Sequence, residues 1–225
     1  GVVYSVLMHG WLQFGQSETW LRLPSVLFAT AVVPVLWLLG RRLFDERTGV
    51  TAAFLVAMNA FVVEYSHEAR TYALTLLLAT ASVLLLVRFI DRPTTVRWTA
   101  WVIVTGLLAH AHFFGVLVIG AEVVAVLGRR SLPTPRRALL KGFAAIGVLL
   151  LPIAWFLASG GDKGQVDAAP PLSAVRFVGV FGRLVGNGGP VLLALVGLAI
   201  GVALLHGLRA VRAERGVHSE ATWSL

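Results

Sequence analysis

The chain has no cysteine in 225 residues, so disulfides and thiolate metal sites are excluded and the redox compartment stays open. Charge is scarce as well. Only 13% of the residues are charged, against about 25% in an ordinary soluble domain, too few to cover a surface that faces water. Lysine occurs only at Lys141 and Lys163, and acidic residues number 11 against 19 basic ones. No charged n-region or small-residue cleavage site opens the chain, so no signal peptide is expected; beginning at Gly1 without an initiator Met, it reads as a piece of something longer. No solenoid-type repeat is visible either.

What the chain has in abundance is apolar residue, 57% of the total, with a mean hydropathy of +0.82, and it comes in long runs. Lipid is the solvent such runs require. The expected fold class is therefore all-α, a polytopic membrane helical bundle. The formal charge of +8 does not point to nucleic acid, because the basic residues stand in short clusters between apolar runs, without a basic stripe and its aromatic partners. Clusters of that kind mark the cytoplasmic loops of a membrane protein.

A spanning helix takes about 20 mostly apolar residues. Five stretches qualify: Pro24 to Gly40, Gly49 to Tyr65, Tyr72 to Ile90, Leu139 to Leu157 and Pro190 to Leu208. Pro34 and Pro152 fall inside helices, which membrane spans tolerate. Trp98 to Leu127 is too long for one crossing, about 45 Å at 1.5 Å per residue against a core of about 30 Å. Charge parity decides its form. A hairpin of two short arms puts the clusters at Arg41 and Arg42, at Arg88, Arg92 and Arg97, at Arg129 to Lys141 and at Arg209 to Arg215 on one side, leaving Arg22, Arg70, Lys163, Arg176 and Arg183 on the other. That distribution satisfies the positive-inside rule. The expected layout is one transmembrane domain over 1–225 with about seven crossings: an outer interfacial amphipathic helix over 1–23, six crossings over 24–158 including the hairpin at 98–127, an outer loop over 159–189 with a second apolar stretch, a last crossing over 190–208, and a cytoplasmic tail over 209–225. The first segment carries Val3, Val6, Leu7, Trp11 and Phe14 at helical spacing.

Polar chemistry gathers at Glu64-Tyr65-Ser66-His67-Glu68-Ala69-Arg70-Thr71-Tyr72, the outer turn between two apolar helices. Glu64 and Glu68, spaced i, i+4, suit a divalent cation or a hydroxyl to be oriented, and Arg70 suits a phosphate. A solvated turn with a Glu68–Arg70 surface pair is the plainer alternative. Arg22, on the side where arginine is unwelcome, suggests a bound anion, an ion pair with an outer carboxylate such as Glu68, or snorkelling to headgroups; Ser17 is the expected N-cap of its helix. His110 and His112 fall at the hairpin tip, where both can bind one metal only if the tip is irregular, and either can meet a polar substrate. Glu122, inside the second arm, is functional by default or else hydrogen-bonded between helices. His206 and His218 read as structural or solvated.

The order Tyr4…Trp11…Phe14-Gly15-x-Ser17-Glu18-x-x-x-Arg22-Leu23-Pro24-Ser25, then Gly40-Arg41-Arg42-Leu43-Phe44, then Tyr65 to Leu74, resembles the GT-C glycosyltransferases, in particular the bacterial branch related to protein mannosyltransferases and aminoarabinose transferases. His110-x-His112-Phe113-Phe114 resembles that family's short helical hairpin. The resemblance is strongest over Gly1 to Arg92 and weak beyond Leu127. It implies an enzyme of the bacterial inner membrane that takes a sugar from a polyprenyl-phosphate carrier to a glycan, lipid or protein acceptor on the extracytoplasmic face, with Mg or Mn as the divalent cation. It also implies Glu68 as the acidic residue of the second outer loop, with Arg22 and Arg70 near the carrier phosphate or bracing the first loop; the residues themselves add Glu64 and Glu18 as rival bases, Glu68 as the metal ligand, and Tyr72, His67, His110 and His112 as substrate contacts. The family's main catalytic acid lies in a first outer loop that would precede Gly1. The competing reading is a transporter or lipid-handling protein, supported by Glu122 and the prolines within helices.

Overall fold

The structure, a computed structural model, describes residues 1–129 and 132–159, all within one unit that spans Gly1–Ala169. The second apolar stretch, the crossing at 190–208 and the residues Lys163, Arg176, Arg183, His206 and His218 lie outside the described residues. Eight helices and no strand occur among the described residues: α1 (Val2–Trp11), α2 (Glu18–Leu43), α3 (Glu46–Ala57), α4 (Ala60–Ser66), α5 (Tyr72–Asp91), α6 (Thr95–Ala111), α7 (Gly115–Gly128) and α8 (Arg136–Ala158). The fold is all-α, as expected.

Helices α2, α5 and α8 are long and apolar enough to cross a membrane. The stretch expected as one crossing from Gly49 to Tyr65 is instead two helices, α3 and α4, bent by 56° at Met58 and Asn59. Asn59 causes the break: its side chain accepts from the Val62 backbone N–H at 3.2 Å and starts α4 as an N-cap. The described residues thus hold three spanning helices, or four if the bent pair is one span. The hairpin is present. α6 ends at Ala111, α7 starts at Gly115, and at 1.5 Å per residue the two arms are about 25 and 21 Å long, short of a full crossing.

The first segment is not one helix over 1–23. α1 stops at Trp11, and Glu18 to Leu23 form the first turns of α2, started by Ser17, whose hydroxyl accepts from Trp20 N–H at 3.2 Å. Proline explains how the two pieces join. Pro24 has no N–H, so the Trp20 carbonyl four residues back lacks its helical donor; the Trp11 indole N–H donates to it at 2.8 Å. The Trp20 indole returns a bond to the Trp11 carbonyl at 3.1 Å, and the two rings stack at 4.4 Å. A Cβ on Gly15 would meet the Trp20 ring at 3.0 Å, so a larger residue there would press on the stacked pair. Tyr4 and Met8 are buried against Leu74 of α5 and Ala111 of α6, and Tyr4 Oη meets Ser25 Oγ at 3.4 Å. The inward face of α1 therefore packs on protein, while Val6 and Phe14 remain exposed.

At the other end, α2 and α3 turn back on each other at Asp45, with Gly40 and Gly49 in backbone contact: a Cβ on Gly49 would lie 2.7 Å from the Trp37 carbonyl oxygen. Small residues permit such close helix approach in membranes. Asp45 caps α3 by accepting from Thr48 N–H at 2.7 Å. That backbone bond, with a further one from the Thr48 side chain, holds the Asp45 carboxyl below the usual carboxylate range. A depressed folded-state pKa gives stability that is present above the unfolded value and lost as pH falls through the folded one. Asp45→Asn, which keeps a capping oxygen without titrating, should unfold with less acid sensitivity than the parent when melting temperatures are compared from pH 6 down to pH 3.

A second core joins α5, α6, α7 and α8 through Phe89, Trp101, Val126, Leu139 and Ile146. Thr134, ahead of α8, donates to the carbonyls of Phe89 and Ile90, meeting acceptors that the end of α5 leaves free.

Candidate active site

The turn after α4 sets the geometry of the polar cluster. α4 ends at Ser66 with His67 as its C-cap, so Glu68 lies beyond the helix and the expected stacking of Glu64 and Glu68 on one helical face does not occur. Glu64 is exposed on the last turn of α4. Glu68 stands 3.6 Å from Arg70 Nε through its Oε2 atom, too far for a hydrogen bond. That oxygen is closed off from solvent and has no hydrogen-bond partner, an uncommon condition for a carboxylate.

Arg22 pairs with Glu18 at 2.5 Å, one helical turn away on α2, and not with Glu68. Arg22 and His67 nevertheless line one cleft of about 350 Å³ with Glu18, Thr19, Leu23 and Val26. The start of α2 and the turn after α4 therefore meet at the same end of the bundle. His67 Nδ1 donates to the Val63 carbonyl at 2.8 Å, which fixes its ring.

Beside the turn runs a nearly all-apolar groove of about 240 Å³, between α2, α4, α5 and the hairpin tip. Its walls include Ala29, Phe61, Tyr65, Tyr72, Ala79 and His112. An aromatic chain edges it: Phe61 to Tyr65 at 4.3 Å, Tyr65 to Tyr72 at 4.8 Å, and Tyr72 to His112 at 6.0 Å. His112 stacks on Phe113 and Phe114, and its Nδ1 accepts from Phe114 N–H at 3.3 Å. His110 takes no part; its Nδ1 donates to the Gly106 carbonyl of its own helix at 2.9 Å. The two histidines therefore do not form one metal site, and no three His, Asp or Glu side chains converge among the described residues. Phe61 and Ala29 were not singled out from the sequence, although the Phe61/Tyr65 spacing of one helical turn was a signal for the former.

Glu122 has a structural setting. Ser82 Oγ donates to its Oε1 at 2.5 Å and Trp101 Nε1 to its Oε2 at 3.2 Å, with Thr105 hydrogen-bonded to Ser82 at 2.7 Å. The carboxyl joins α5, α6 and α7.

The family model for dolichyl-phosphate-mannose-protein mannosyltransferases matches residues 3–157, more than half of the chain. The chain belongs to this family. It is a GT-C membrane glycosyltransferase of the mannosyltransferase type. No curated protein and no solved structure matches it. Within this mannosyltransferase chain, several of the residues that carried the resemblance are fold determinants: Tyr4, Trp11, Gly15, Ser17, Pro24 and Ser25 bind α1 to α2. The matched residues also include the groove and the turn from Glu64 to Tyr72.

Proposed function

We propose that the protein transfers a sugar from a polyprenyl-phosphate donor to a hydroxyl-bearing glycan, lipid or protein acceptor on the extracytoplasmic face of the bacterial inner membrane. The observation that carries the reading is Glu68 Oε2, shielded from solvent and without a hydrogen bond although 3.6 Å from Arg70 Nε, at the end of the bundle that also holds Arg22 and an apolar groove.

The division of labour follows from the chemistry. A polyprenyl chain is apolar and suits the groove between Phe61, Tyr65, Tyr72 and His112. Glu68 takes the proton of the acceptor hydroxyl as its oxygen bonds to the sugar's anomeric carbon; Glu64 is the rival for this role. The bond from that carbon to the phosphate oxygen breaks, and the electron pair leaves with polyprenyl phosphate. Arg22 and Arg70, with His67 adjacent, hold the charge that develops on the phosphate. Arg22 is exposed and is held by a surface ion pair of the kind worth about 0–1 kcal/mol, so turning toward a phosphate costs little.

Glu68 offers a divalent cation one carboxylate, with no group of three such ligands converging among the described residues, whereas Mg²⁺ takes six ligands. Bound Mg or Mn would serve to neutralise the leaving phosphate beside Arg22 and Arg70.

The transporter alternative drew on Glu122 as well as on the prolines within helices, and that carboxyl already receives donors from Ser82 and Trp101. Membrane vesicles containing the protein, expressed from its complete gene, should move label from radiolabelled polyprenyl-phosphate mannose, or another polyprenyl-phosphate sugar, into an acceptor fraction. If label passes across the bilayer with its carrier intact, and no sugar changes partner, the enzyme reading is overturned.

A further inference from the structure

At the far end of α2 from Arg22, about 28 Å away at 1.5 Å per residue, lies a cleft of about 640 Å³ between α2, α5 and α6. Five arginines line it: Arg41, Arg42, Arg88, Arg92 and Arg97. Snorkelling alone would send each guanidinium outward separately, but here three helices aim them at one cavity. Two are matched by carboxylates, Arg42 by Asp91 at 2.6 Å and Arg41 by Glu46 at 3.6 Å. Arg41 also lies over the Trp37 ring at 4.5 Å. Arg97 turns its Nη1 to the carbonyls of Arg88 and Arg92, at 3.0 and 3.3 Å, where the end of α5 presents free acceptors and favours a cation.

Arg88 and Arg92 have no carboxylate partner among the described residues. Five guanidinium groups against two carboxylates leave three positive charges uncompensated in one concave site. The remaining wall, with Leu38, Leu85 and Ala100, is apolar. An anionic group carrying a hydrocarbon tail matches both halves of this lining, and basic pockets between membrane helices are suited to such headgroups.

We propose that this cleft binds the phosphate of an anionic lipid headgroup, with Arg88 and Arg92 on the phosphate oxygens and the acyl chain against Leu38, Leu85 and Ala100. The site stands apart from the candidate active site and does not depend on the proposed reaction.

The test uses the whole protein in nanodiscs of phosphatidylcholine alone or with phosphatidylglycerol or cardiolipin, and reads lipid retention by native mass spectrometry. The parent should retain the anionic lipids over phosphatidylcholine. The R88A/R92A double variant should retain them about 30-fold less, taking each arginine as a factor of about five. Inorganic phosphate at millimolar concentration should leave retention unchanged. Circular dichroism and elution volume in detergent establish that the variant is folded, and R88K/R92K, which keeps charge without the planar fork, should fall between the two. Equal retention by the parent and a folded R88A/R92A overturns the proposal. Competition by inorganic phosphate also overturns it, by showing a free-anion site instead of a lipid site.

Discussion

Glu68→Gln should lower sugar transfer by at least about 100-fold, with little change in the amount of folded protein in the membrane. The substitution keeps the shape of the side chain and removes its ability to take a proton, a function worth about 10² to 10⁴ in rate. Its fold cost is small because the Glu68 Oε2 atom accepts no hydrogen bond, so Gln leaves no protein donor orphaned. Glu64→Gln distinguishes the two carboxylates. Glu64 is exposed on the last turn of α4, and its replacement should change the rate less than about threefold, well below the contribution of a general base. Initial rates over a range of acceptor concentrations separate the outcomes: a Glu68 effect confined to KM would make the residue a binding group, and a larger loss from Glu64→Gln would transfer the proton-accepting role to Glu64.

The second large effect is on stability. Trp11→Ala removes a stacked ring and the indole hydrogen bond to the Trp20 carbonyl, leaving the Trp20 indole bond to the residue-11 backbone carbonyl, and should cost about 3 kcal/mol, the low end for loss of a large aromatic because Trp11 is only half buried. The Trp20 carbonyl, deprived of its helical donor by Pro24, then has no donor at all. Trp11→Phe isolates that part: it keeps an aromatic face for stacking but leaves the carbonyl unmet, and should cost about 1–2 kcal/mol. Limited proteolysis between α1 and α2, together with thermal unfolding in detergent, measures both. A Trp11→Phe protein as stable as the parent would mean that the Trp11–Trp20 carbonyl bond contributes nothing.

Much of this architecture could be read from the residues. Depletion of charge gave the membrane class, and the excess length of the run from Trp98 to Leu127 pointed to the break that separates α6 from α7 at His112. Ser17 caps α2 as its type suggests, and α5 runs from Tyr72 to Asp91, one residue past the expected end. What escaped depends on backbone events that apolar periodicity does not register. Asn59 begins a new helix within an apolar run, which bends the stretch expected as one straight crossing. His67 ends α4, which took Glu68 off the face it was expected to share with Glu64. The Trp11 to Trp20 arrangement required recognising that Pro24 frees a carbonyl. Glu122 could be read from sequence only as two alternatives, and its partners Ser82 and Trp101 settle its surroundings because they come from different helices.

The pairing of α1 with α2 also bears on the order of assembly. Trp11 and Trp20 are near neighbours in the chain, so the loop they close is short and its entropic cost low. It closes between residues 11 and 20, so α1 is able to join the start of α2 while the rest of the polypeptide is still being made. The groove cannot be complete until His112 has been synthesised and has folded back toward Tyr72. The brace therefore precedes the groove, and the nascent protein joins its α1 to α2 before the walls from α4, α5 and the hairpin tip can come together.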